Sequence, residues 1–440
     1  MRIIHAVGWY FPETLGGTEV YVAGLARRLR AAGHEVLVAA PDARHGRERT
    51  YEHDGIAVYR YPVPADPTRA ECQGLVPARG AQHLHAWLAS RRPDVVHFHS
   101  VVTGLGLHEI KAAKATRARI VVTTHSGRLG FACQRGTMMR WGERLCDGVT
   151  EPAKCAACEL QHRGLPKLLA RTMGAMPPAL GRIARSLPGR CGTALAMSDL
   201  IARNRSMQRE MLGLVDRFVV LTRWALDALA ANGAPRGKLA LNPLGLGQTT
   251  VPRKPGPREQ PTVRPVKVGY LGRFESLKGV ADLARAVASL PEDIAVSVEF
   301  RGPVNGAEPR CLDETRAWVD RDPRMRFAPA ATWREACRVL AGYDVLCCPS
   351  RCLEGGPTVA IEAHAAGTPV IGARVGGLAE LVTDGVNGRL VEPGNWRELA
   401  RVLAELGRDP ARTIDRWRAA LPPARTMDEV AADYLAVYAA

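Results

Sequence analysis

At 440 residues the chain is too long for one ordinary hydrophobic core, so two or three domains are expected. Its composition is that of a soluble globular protein. Because the start lacks the apolar run of a signal peptide and no stretch reaches membrane-spanning length, a cytoplasmic protein is predicted. The formal net charge of +16 favours anionic partners such as nucleic acid, anionic lipid or phosphorylated substrates, although an arginine- and alanine-rich composition can also reflect a GC-rich genome.

The first half of the chain alternates predicted strands and helices. This alternation, with nearly continuous valine and isoleucine runs, predicts a parallel sheet covered on both faces. Gly16 and Gly17 lie in the first loop, immediately before Thr18, a favourable N-cap. This loop has no G-x-G-x-x-G, so no dinucleotide site is predicted. The predicted strands of this half are 3–7, 35–40, 94–98, 119–124, 217–221 and 239–242, and the predicted helices are 18–31 and 223–231.

The regular alternation stops after His125 for roughly seventy residues, and a loop of this length is either functional or flexible. This insertion, about 126–200, contains Cys133, Cys146, Cys155 and Cys158. Eleven cysteines in a cytoplasmic chain argue against a disulfide framework, and four close together fit a tetrahedral thiolate zinc site. An iron–sulfur cluster and unligated or redox-active thiols remain the alternatives. A structural zinc would tie down a segment that has little core of its own.

The second part of the insertion is basic. No acidic residue occurs in 160–198, while arginines and one lysine recur among leucine, methionine and proline. Such a face could lie on anionic lipid and meet a lipid-linked acceptor. The alternative is a solvated helical hairpin that covers the sheet. The basic residues are Arg163, Lys167, Arg171, Arg182, Arg185 and Arg190.

The proline-dense segment 251–265 has no hydrophobic periodicity and is the predicted interdomain linker. The strand–helix pattern then repeats from 266 to 391, and 428–440 is a predicted helix. The expected organisation is therefore an N-terminal domain over 1–250, a C-terminal domain over 266–415 and a helical tail over 416–440.

The segment 350–373 reads as a loop, a helix and a strand after the buried strand 344–348. Pro357 suits the first helical position, and Gly367 lies where the helix must stop. Gly355 and Gly356 allow backbone N–H groups to approach a ligand closely at a helix start, which favours negative charge. Glu354 in the loop and Glu362 on the helix could hold the hydroxyls of a sugar and a ribose. The pattern predicts a site for a phosphorylated sugar compound; two solvated glutamates on an ordinary helix are the alternative.

Arg273 and Lys278 follow the first strand of the second half, five positions apart. Ligands of open α/β sheets bind outside the carboxyl ends of the strands, so both cations can converge on one diphosphate. Arginine gives a bidentate contact and lysine a point charge. Two surface cations with no ligand are the alternative interpretation.

Two motifs together, S-x-x-x-E-G-x-P-x-x-x-x-E-A-x-A-x-G-x-P-V-I from Ser350 and G-R-x-x-x-x-K-G from Gly272, resemble those of the retaining glycosyltransferases of family four. The chain is similar to a subgroup with a cysteine-bearing insertion in the N-terminal domain. The resemblance implies the GT-B fold, an α/β architecture of two Rossmann-like doubly wound domains that face each other across a cleft. It also implies a nucleotide diphosphate sugar as donor, and a tail helix that often packs back on the first domain.

The resemblance implies roles for individual residues. Arg273 and Lys278 match the family's phosphate clamp and would stabilise the leaving diphosphate without any metal. Glu362 would bind the ribose, and Glu354 would lie beside the sugar without acting as a covalent nucleophile, since the class is described as using front-face substitution. The donor site would further include Gly16, Gly17, Gly302, Gly355, Gly356 and Pro357, and His125 would contact the donor sugar, with weaker claims for its neighbours His99 and His97.

The predicted function is sugar transfer with retention to a glycan or lipid-linked acceptor hydroxyl, in cell-surface polysaccharide, lipopolysaccharide or glycolipid synthesis. The protein would be cytoplasmic or peripheral at the inner face of the membrane. One alternative is a catalytically inactive nucleotide-sugar-binding or partner subunit of the same fold. A nucleic-acid-binding protein is not expected, because the chain has no recognisable binding module or aromatic platform.

Overall fold

The protein is described by a computed structural model in which residues 1–13, 16–125, 133–247, 264–332 and 334–440 are placed. Most of the predicted linker lies outside the described residues. The chain divides into two compact units. Unit 1 comprises Met1–Gly247 with Met427–Ala440, and unit 2 comprises Gln248–Thr426.

Both units are α/β, with strands connected by helices. The strands are β1 (Arg2–Ala6), β2 (Glu35–Asp42), β3 (Arg49–His53), β4 (Ile56–Pro62), β5 (Val95–Phe98), β6 (Arg119–Thr124), β7 (Met139–Arg140), β8 (Arg144–Leu145), β9 (Arg217–Val220), β10 (Leu239–Leu241), β11 (Val266–Leu271), β12 (Val296–Arg301), β13 (Met325–Ala328), β14 (Val345–Cys348), β15 (Val370–Ala373) and β16 (Gly388–Val391). The helices are α1 (Gly17–Ala31), α2 (Arg69–Cys72), α3 (Ala81–Arg91), α4 (Leu107–Ala115), α5 (Pro152–His162), α6 (Lys167–Gly174), α7 (Pro178–Ala184), α8 (Gly189–Leu195), α9 (Met197–Leu214), α10 (Arg223–Ala231), α11 (Val280–Ala288), α12 (Pro309–Val319), α13 (Ala336–Ala341), α14 (Thr358–Ala365), α15 (Gly376–Leu381), α16 (Trp396–Arg408), α17 (Pro410–Ala419) and α18 (Met427–Ala439).

The main sheet of unit 1 has eight strands in the order β10-β9-β6-β5-β1-β2-β4-β3. All neighbouring pairs are parallel except β3 with β4, which form an antiparallel pair at one edge. The central strands are buried on both faces, as their continuous apolar sequences predict. Because the strands of this sheet other than β3 run in one direction, the side chains that follow β1, β5 and β6 meet at a single edge.

The insertion after β6 differs from the irregular loop that the sequence suggests. Apart from 126–132, which lie outside the described residues, it consists of the short β7–β8 hairpin and the helices α5 to α9. Its helices pack on one another around a small apolar cluster of their own, so they lack the strand–helix alternation used to recognise the sheet. The buried members of that cluster are Ala156, Leu160, Ala170, Met197 and Ile201.

Unit 2 contains a six-stranded parallel sheet in the order β13-β12-β11-β14-β15-β16. The sheet grows outward from β11 in both directions: β12 and β13 lie on one side of it, and β14, β15 and β16 lie on the other. In an open α/β sheet this change of direction opens a crevice at the carboxyl ends of β11 and β14, and ligands bind there.

The last helix, α18, packs against α1 and belongs to unit 1, whereas α17 stays in unit 2. The predicted tail 416–440 is therefore divided between the two units. Tyr434 and Tyr438 of α18 are buried, and the Tyr434 hydroxyl lies 3.1 Å from the Tyr21 hydroxyl of α1. No helix in the described ranges is long and apolar enough to cross a membrane.

Candidate active site

A pocket of about 220 Å³ in unit 2 lies where β11 and β14 end. The loop after β11 brings Arg273 and Lys278 to it, and the loop between β14 and α14 brings Glu354. The structure thus places three of the predicted catalytic side chains around one cavity. The backbone at the start of α14 completes the lining. The residues of these two loops and of the start of α14 that line the pocket are Gly272, Arg273, Lys278, Ser350, Glu354, Gly356, Pro357 and Thr358.

Lys278 and Glu354 form an ion pair at the pocket wall, with 2.6 Å between Nζ and Oε1. The Ser350 hydroxyl donates a second hydrogen bond, of 2.9 Å, to the same carboxylate oxygen. Burial alone would lower the pKa of Lys278, but the Glu354 carboxylate raises it above its ordinary value. Lys278 is therefore a fixed positive charge beside the cavity, and Glu354 holds it in place.

Arg273 is the more exposed of the two cations. Its side chain is 63% exposed, and a guanidinium nitrogen lies 2.6 Å from a carboxylate oxygen of Glu275. An exposed ion pair of this kind contributes little to stability. Arg273 can therefore exchange Glu275 for an anionic ligand at small cost.

Two glycines near the pocket are required by close backbone packing. Gly279 follows Lys278 with φ of +68°, and a Cβ there would lie 1.9 Å from the carbonyl oxygen of Pro349. A Cβ on Gly302 would lie 2.0 Å from the carbonyl oxygen of Gly272. Gly302 does not line the pocket; its contact allows β12 to pack beside the turn that carries Arg273.

Glu362 lies on α14 and does not line this pocket, and neither does Gly355. Glu362 is half-buried, and within the described ranges no hydrogen bond to its carboxylate is found. Burial raises its pKa from 4.5 to about 7. Pro357 is the N-cap of α14, directly before the first helical residue, whereas the sequence predicted it to be the first helical residue itself. Gly367 follows the end of the helix with φ of +76°, as predicted. This half-buried carboxylate of Glu362, with no hydrogen-bond partner among the residues that the structure describes, is available to bind a ligand hydroxyl.

Gly16 is the N-cap of α1 and Gly17 is its first residue, so the predicted N-cap, Thr18, lies inside the first turn instead. The backbone of Gly16 is extended, a conformation open to any residue. The nearest atom to a Cβ at this position would be a carboxylate oxygen of Glu19, at 2.5 Å. That side chain is flexible, so the structure itself gives no strong requirement for glycine here.

His125 directly follows β6 and lines a pocket of about 480 Å³ in unit 1, together with His99, Gln134, Arg163 and Asn204. His125 Nε2 lies 3.1 Å from His99 Nδ1, and His99 Nε2 lies 3.0 Å from His5 Nδ1. Three imidazoles therefore form a hydrogen-bonded row from the pocket into the core. Burial lowers the pKa of His125 to about 4, so the ring facing the pocket is neutral near pH 7.

His97 lies beside this row but belongs to a different network. Its Nδ1 lies 2.6 Å from the Tyr438 hydroxyl and its Nε2 lies 2.7 Å from the Thr123 hydroxyl. Among the described residues, His5, His97 and His99 are the one set of metal-ligating side chains whose ligand atoms all lie within 4.8 Å of one another. Because both nitrogens of His97 and both of His99 already have hydrogen-bond partners, a core network explains them without a metal.

His97, His99 and His125 were candidates from the sequence, but His5 was not. His5 stands opposite His97 in the register of the parallel β1–β5 pair. No local pattern around His5 distinguishes it from an ordinary strand residue, so only the pairing of the two strands reveals it.

The four cysteines of the insertion, Cys133, Cys146, Cys155 and Cys158, all line one small cavity in unit 1.

Two protein-family models match the chain. The model described as glycosyl transferases group 1 matches residues 257–420, and the glycosyl transferase 4-like domain matches residues 16–167. A D-inositol 3-phosphate glycosyltransferase of Streptomyces avermitilis is 28% identical over 438 residues, which cover 96% of this chain and 82% of the relative. The protein of the same description from Mycolicibacterium vanbaalenii is 38% identical over 165 residues, covering 34% of this chain and 35% of the relative.

Solved structures share the fold along the whole chain. HepE of Anabaena, in complex with UDP, has a TM-score of 0.64 at 15% identity, with both chains fully covered. The sucrose-phosphate synthase of Thermosynechococcus elongatus also has a TM-score of 0.64, at 18% identity, covering 100% of this chain and 98% of its own. The two matched domains, the relatives along most of the chain and this shared architecture establish that the chain belongs to the family-four glycosyltransferases, which have the GT-B fold.

Proposed function

We propose that this glycosyltransferase moves a sugar, with retention of configuration, from a nucleotide diphosphate sugar to an acceptor hydroxyl. The observation that carries the proposal is the unit 2 pocket, in which Arg273, Lys278 and the start of α14 surround one cavity. Cations and a helix N-terminus at one place favour a ligand with two phosphates. The alternative is a catalytically inactive nucleotide-sugar-binding or partner subunit, and a partner subunit that binds no donor would have no need for this set of charges.

The chemistry proposed for the pocket is stabilisation of the leaving diphosphate. As the bond to the sugar breaks, negative charge grows on the phosphate oxygens, and Arg273 and Lys278 are already positioned to balance it. These two cations supply the positive charge, so no metal ion is needed for this step. The leaving phosphate takes the acceptor proton on the same face of the sugar. Glu354 positions Lys278 and does not attack the sugar, because Lys278 and Ser350 hold its carboxylate.

The donor is proposed to be a uridine diphosphate sugar. Similar structures were determined for Anabaena HepE with UDP and with UDP-glucose. For the acceptor, a lipid-linked or polysaccharide hydroxyl in cell-surface glycan synthesis is proposed. The relatives reported above are named D-inositol 3-phosphate glycosyltransferases, and this name supports a phosphorylated cyclitol as a second acceptor candidate. The polar pocket around His125 is of a size that suits either polyhydroxylated group.

A thermal-shift screen against UDP, GDP, ADP, dTDP and CMP tests the donor proposal. UDP should raise the melting temperature most, because a ligand at 100 times its Kd stabilises the folded state by about 2.7 kcal/mol. A radiolabelled transfer assay with inositol 3-phosphate and with a lipid-linked acceptor then distinguishes the two acceptor candidates. If no nucleotide changes the melting temperature, the inactive-subunit alternative is favoured.

We also propose that the helices α6 and α7 place the protein on an anionic membrane surface. Five large apolar side chains are exposed on or beside these helices, and Leu168 and Ile183 are the most exposed, at 76% and 74%. Arginines lie among them, so apolar and cationic groups occur on one short segment, as in helices that bind at the lipid interface. The exposed apolar residues are Leu168, Leu169, Leu180, Ile183 and Leu187.

The double variant Leu168→Gln/Ile183→Gln should bind vesicles rich in phosphatidylglycerol about 10- to 100-fold more weakly than the wild type, because two apolar side chains no longer enter the interface. Vesicle co-sedimentation at low and high salt measures this. Val386→Gln is the matched control, since Val386 is exposed in unit 2 and should leave binding unchanged. Equal binding of the double variant, or a wild type that stays in the supernatant, would refute membrane docking by this segment.

A further inference from the structure

The four cysteines of the insertion come from three separate local structures and meet at one place. Cys155 and Cys158 lie one turn apart on α5, Cys146 follows β8, and Cys133 precedes the β7–β8 hairpin. All four line a cavity of about 40 Å³. Cys191, another cysteine of unit 1, is exposed on α8 and does not line this cavity.

The hairpin is folded so that its backbone faces this cavity. Its turn contains Trp141 and Gly142, both with positive φ, of 60° and 72°. The backbone N–H of Trp141 donates a hydrogen bond of 3.4 Å to Cys158 Sγ. Cys146 is held at the base of the hairpin by its N–H, which donates to the carbonyl oxygen of Met138 at 2.9 Å. Backbone N–H donors to sulfur orient a thiolate and stabilise its charge, as outer-shell groups do around metal sites.

The charges around the cavity also suit a set of thiolates. Arg135, Arg140 and Lys154 line it, and Arg135 Nη1 lies 4.0 Å from Cys158 Sγ. Four thiolates around one divalent ion carry a net charge of −2, which nearby cations offset. Four cysteine sulfurs in a tetrahedral arrangement are a ligand set that structural zinc prefers.

We propose that Cys133, Cys146, Cys155 and Cys158 bind one structural zinc ion. Within the described ranges no three of these sulfur atoms lie within 4.8 Å of one another, so binding draws them together. The required movement is a rearrangement of side chains that already line one cavity. The free energy of metal binding then contributes to folding of the insertion, whose own apolar cluster is small.

The zinc site would also fix part of a larger pocket. Cys133 lines both the thiol cavity and the pocket that contains His125, and Gln134 does the same. A metal bound to Cys133 therefore holds one wall of the His125 pocket in place. The proposal itself does not depend on the identity of donor or acceptor.

Metal analysis of the full-length protein, purified without chelators, should find one zinc ion per chain. Cobalt should replace it and give the thiolate-to-cobalt charge-transfer and visible bands of a tetrahedral all-sulfur site. Cys155→Ser and Cys158→Ser should each lose bound zinc and the cobalt spectrum. Cys191→Ser is the matched control and should retain both, because Cys191 is exposed on α8.

Alkylation of the wild-type protein provides a test that does not depend on the folding of a variant. The four proposed ligand cysteines should resist alkylation until a chelator removes zinc, and peptide mapping identifies them. A protein purified without zinc that also fails to bind added zinc or cobalt would overturn the proposal. Iron with inorganic sulfide, a disulfide among the four, or unchanged zinc in Cys155→Ser would overturn it as well.

Discussion

Arg273→Ala should lower kcat for sugar transfer by about 100- to 1000-fold, the loss typical when one group that stabilises transition-state charge is removed. The physical reason is that the guanidinium faces the growing charge of the leaving diphosphate. Among the described residues its side chain forms an exposed ion pair with Glu275, so the melting temperature should change little. Steady-state kinetics and thermal unfolding of the same preparation measure both quantities.

Arg401→Ala is the matched control for this variant, because Arg401 is exposed on α16 of the same unit and lies outside the pocket. Its kcat should equal that of the wild type. Lys278→Ala should also lose activity, but it leaves the Glu354 carboxylate without its ion pair, so it should lower the melting temperature as well. Unchanged turnover of Arg273→Ala would show that Arg273 is not part of the phosphate clamp.

Glu362→Gln should make the protein more stable above pH 7 and weaken donor binding. The pKa of Glu362 is raised by burial to about 7 in the folded protein, against 4.5 ordinarily. Between these two pH values the folded state keeps a proton that the unfolded state has lost. The stabilising contribution of Glu362 is therefore complete below pH 4.5 and is lost as the pH rises through 7. At pH 8 the charged carboxylate costs up to about 3 kcal/mol, which the uncharged amide avoids.

The same carboxylate is proposed to accept hydrogen bonds from the donor ribose. Its replacement should weaken UDP binding about 10- to 100-fold, since a hydrogen bond to a charged group contributes roughly 1.5–3 kcal/mol. Wild-type affinity should also rise from pH 6 to pH 8 as Glu362 ionises, and the variant should lack this dependence. Calorimetric titration and unfolding at both pH values test these expectations.

Glu314→Gln controls for the loss of one acidic group, because Glu314 is exposed on α12. It should change neither UDP affinity nor the pH dependence of stability. A Glu362→Gln protein with wild-type UDP affinity would remove Glu362 from the donor site. The same stability as the wild type at pH 8 would contradict the raised pKa.

Much of the fold could be predicted from local patterns. The strands β1, β6 and β9 were predicted within one residue of their observed ends, because buried parallel strands are continuous apolar runs. The edge strand β3, Arg49–His53, was missed because its residues are polar and only partly buried. The bounds of α6, α7 and α8 in the insertion were not predicted, because these helices are short, are separated by proline and glycine, and bury mainly alanine and glycine.

The site could be predicted in part. The spacing of Arg273 and Lys278 and the loop before α14 indicated side chains that meet at the carboxyl ends of neighbouring strands, and the structure places them around one pocket. The direct pairing of Lys278 with Glu354 was not predicted, because 76 residues separate them in the chain. Gly302 was assigned to the ligand pocket, whereas the structure shows it packed against Gly272.

The sequence by itself determined the family, the alternation of strands and helices and the types of residue available for phosphate and metal binding, because these depend on spacing along the chain. Only the tertiary structure decided which of those residues meet. The row from His5 through His99 to His125 depends on strand order and register, and the shared cavity of the four cysteines depends on how a hairpin packs on α5. Burial, which raises the pKa of Glu362, is likewise a property of the packed core and has no signature in local sequence.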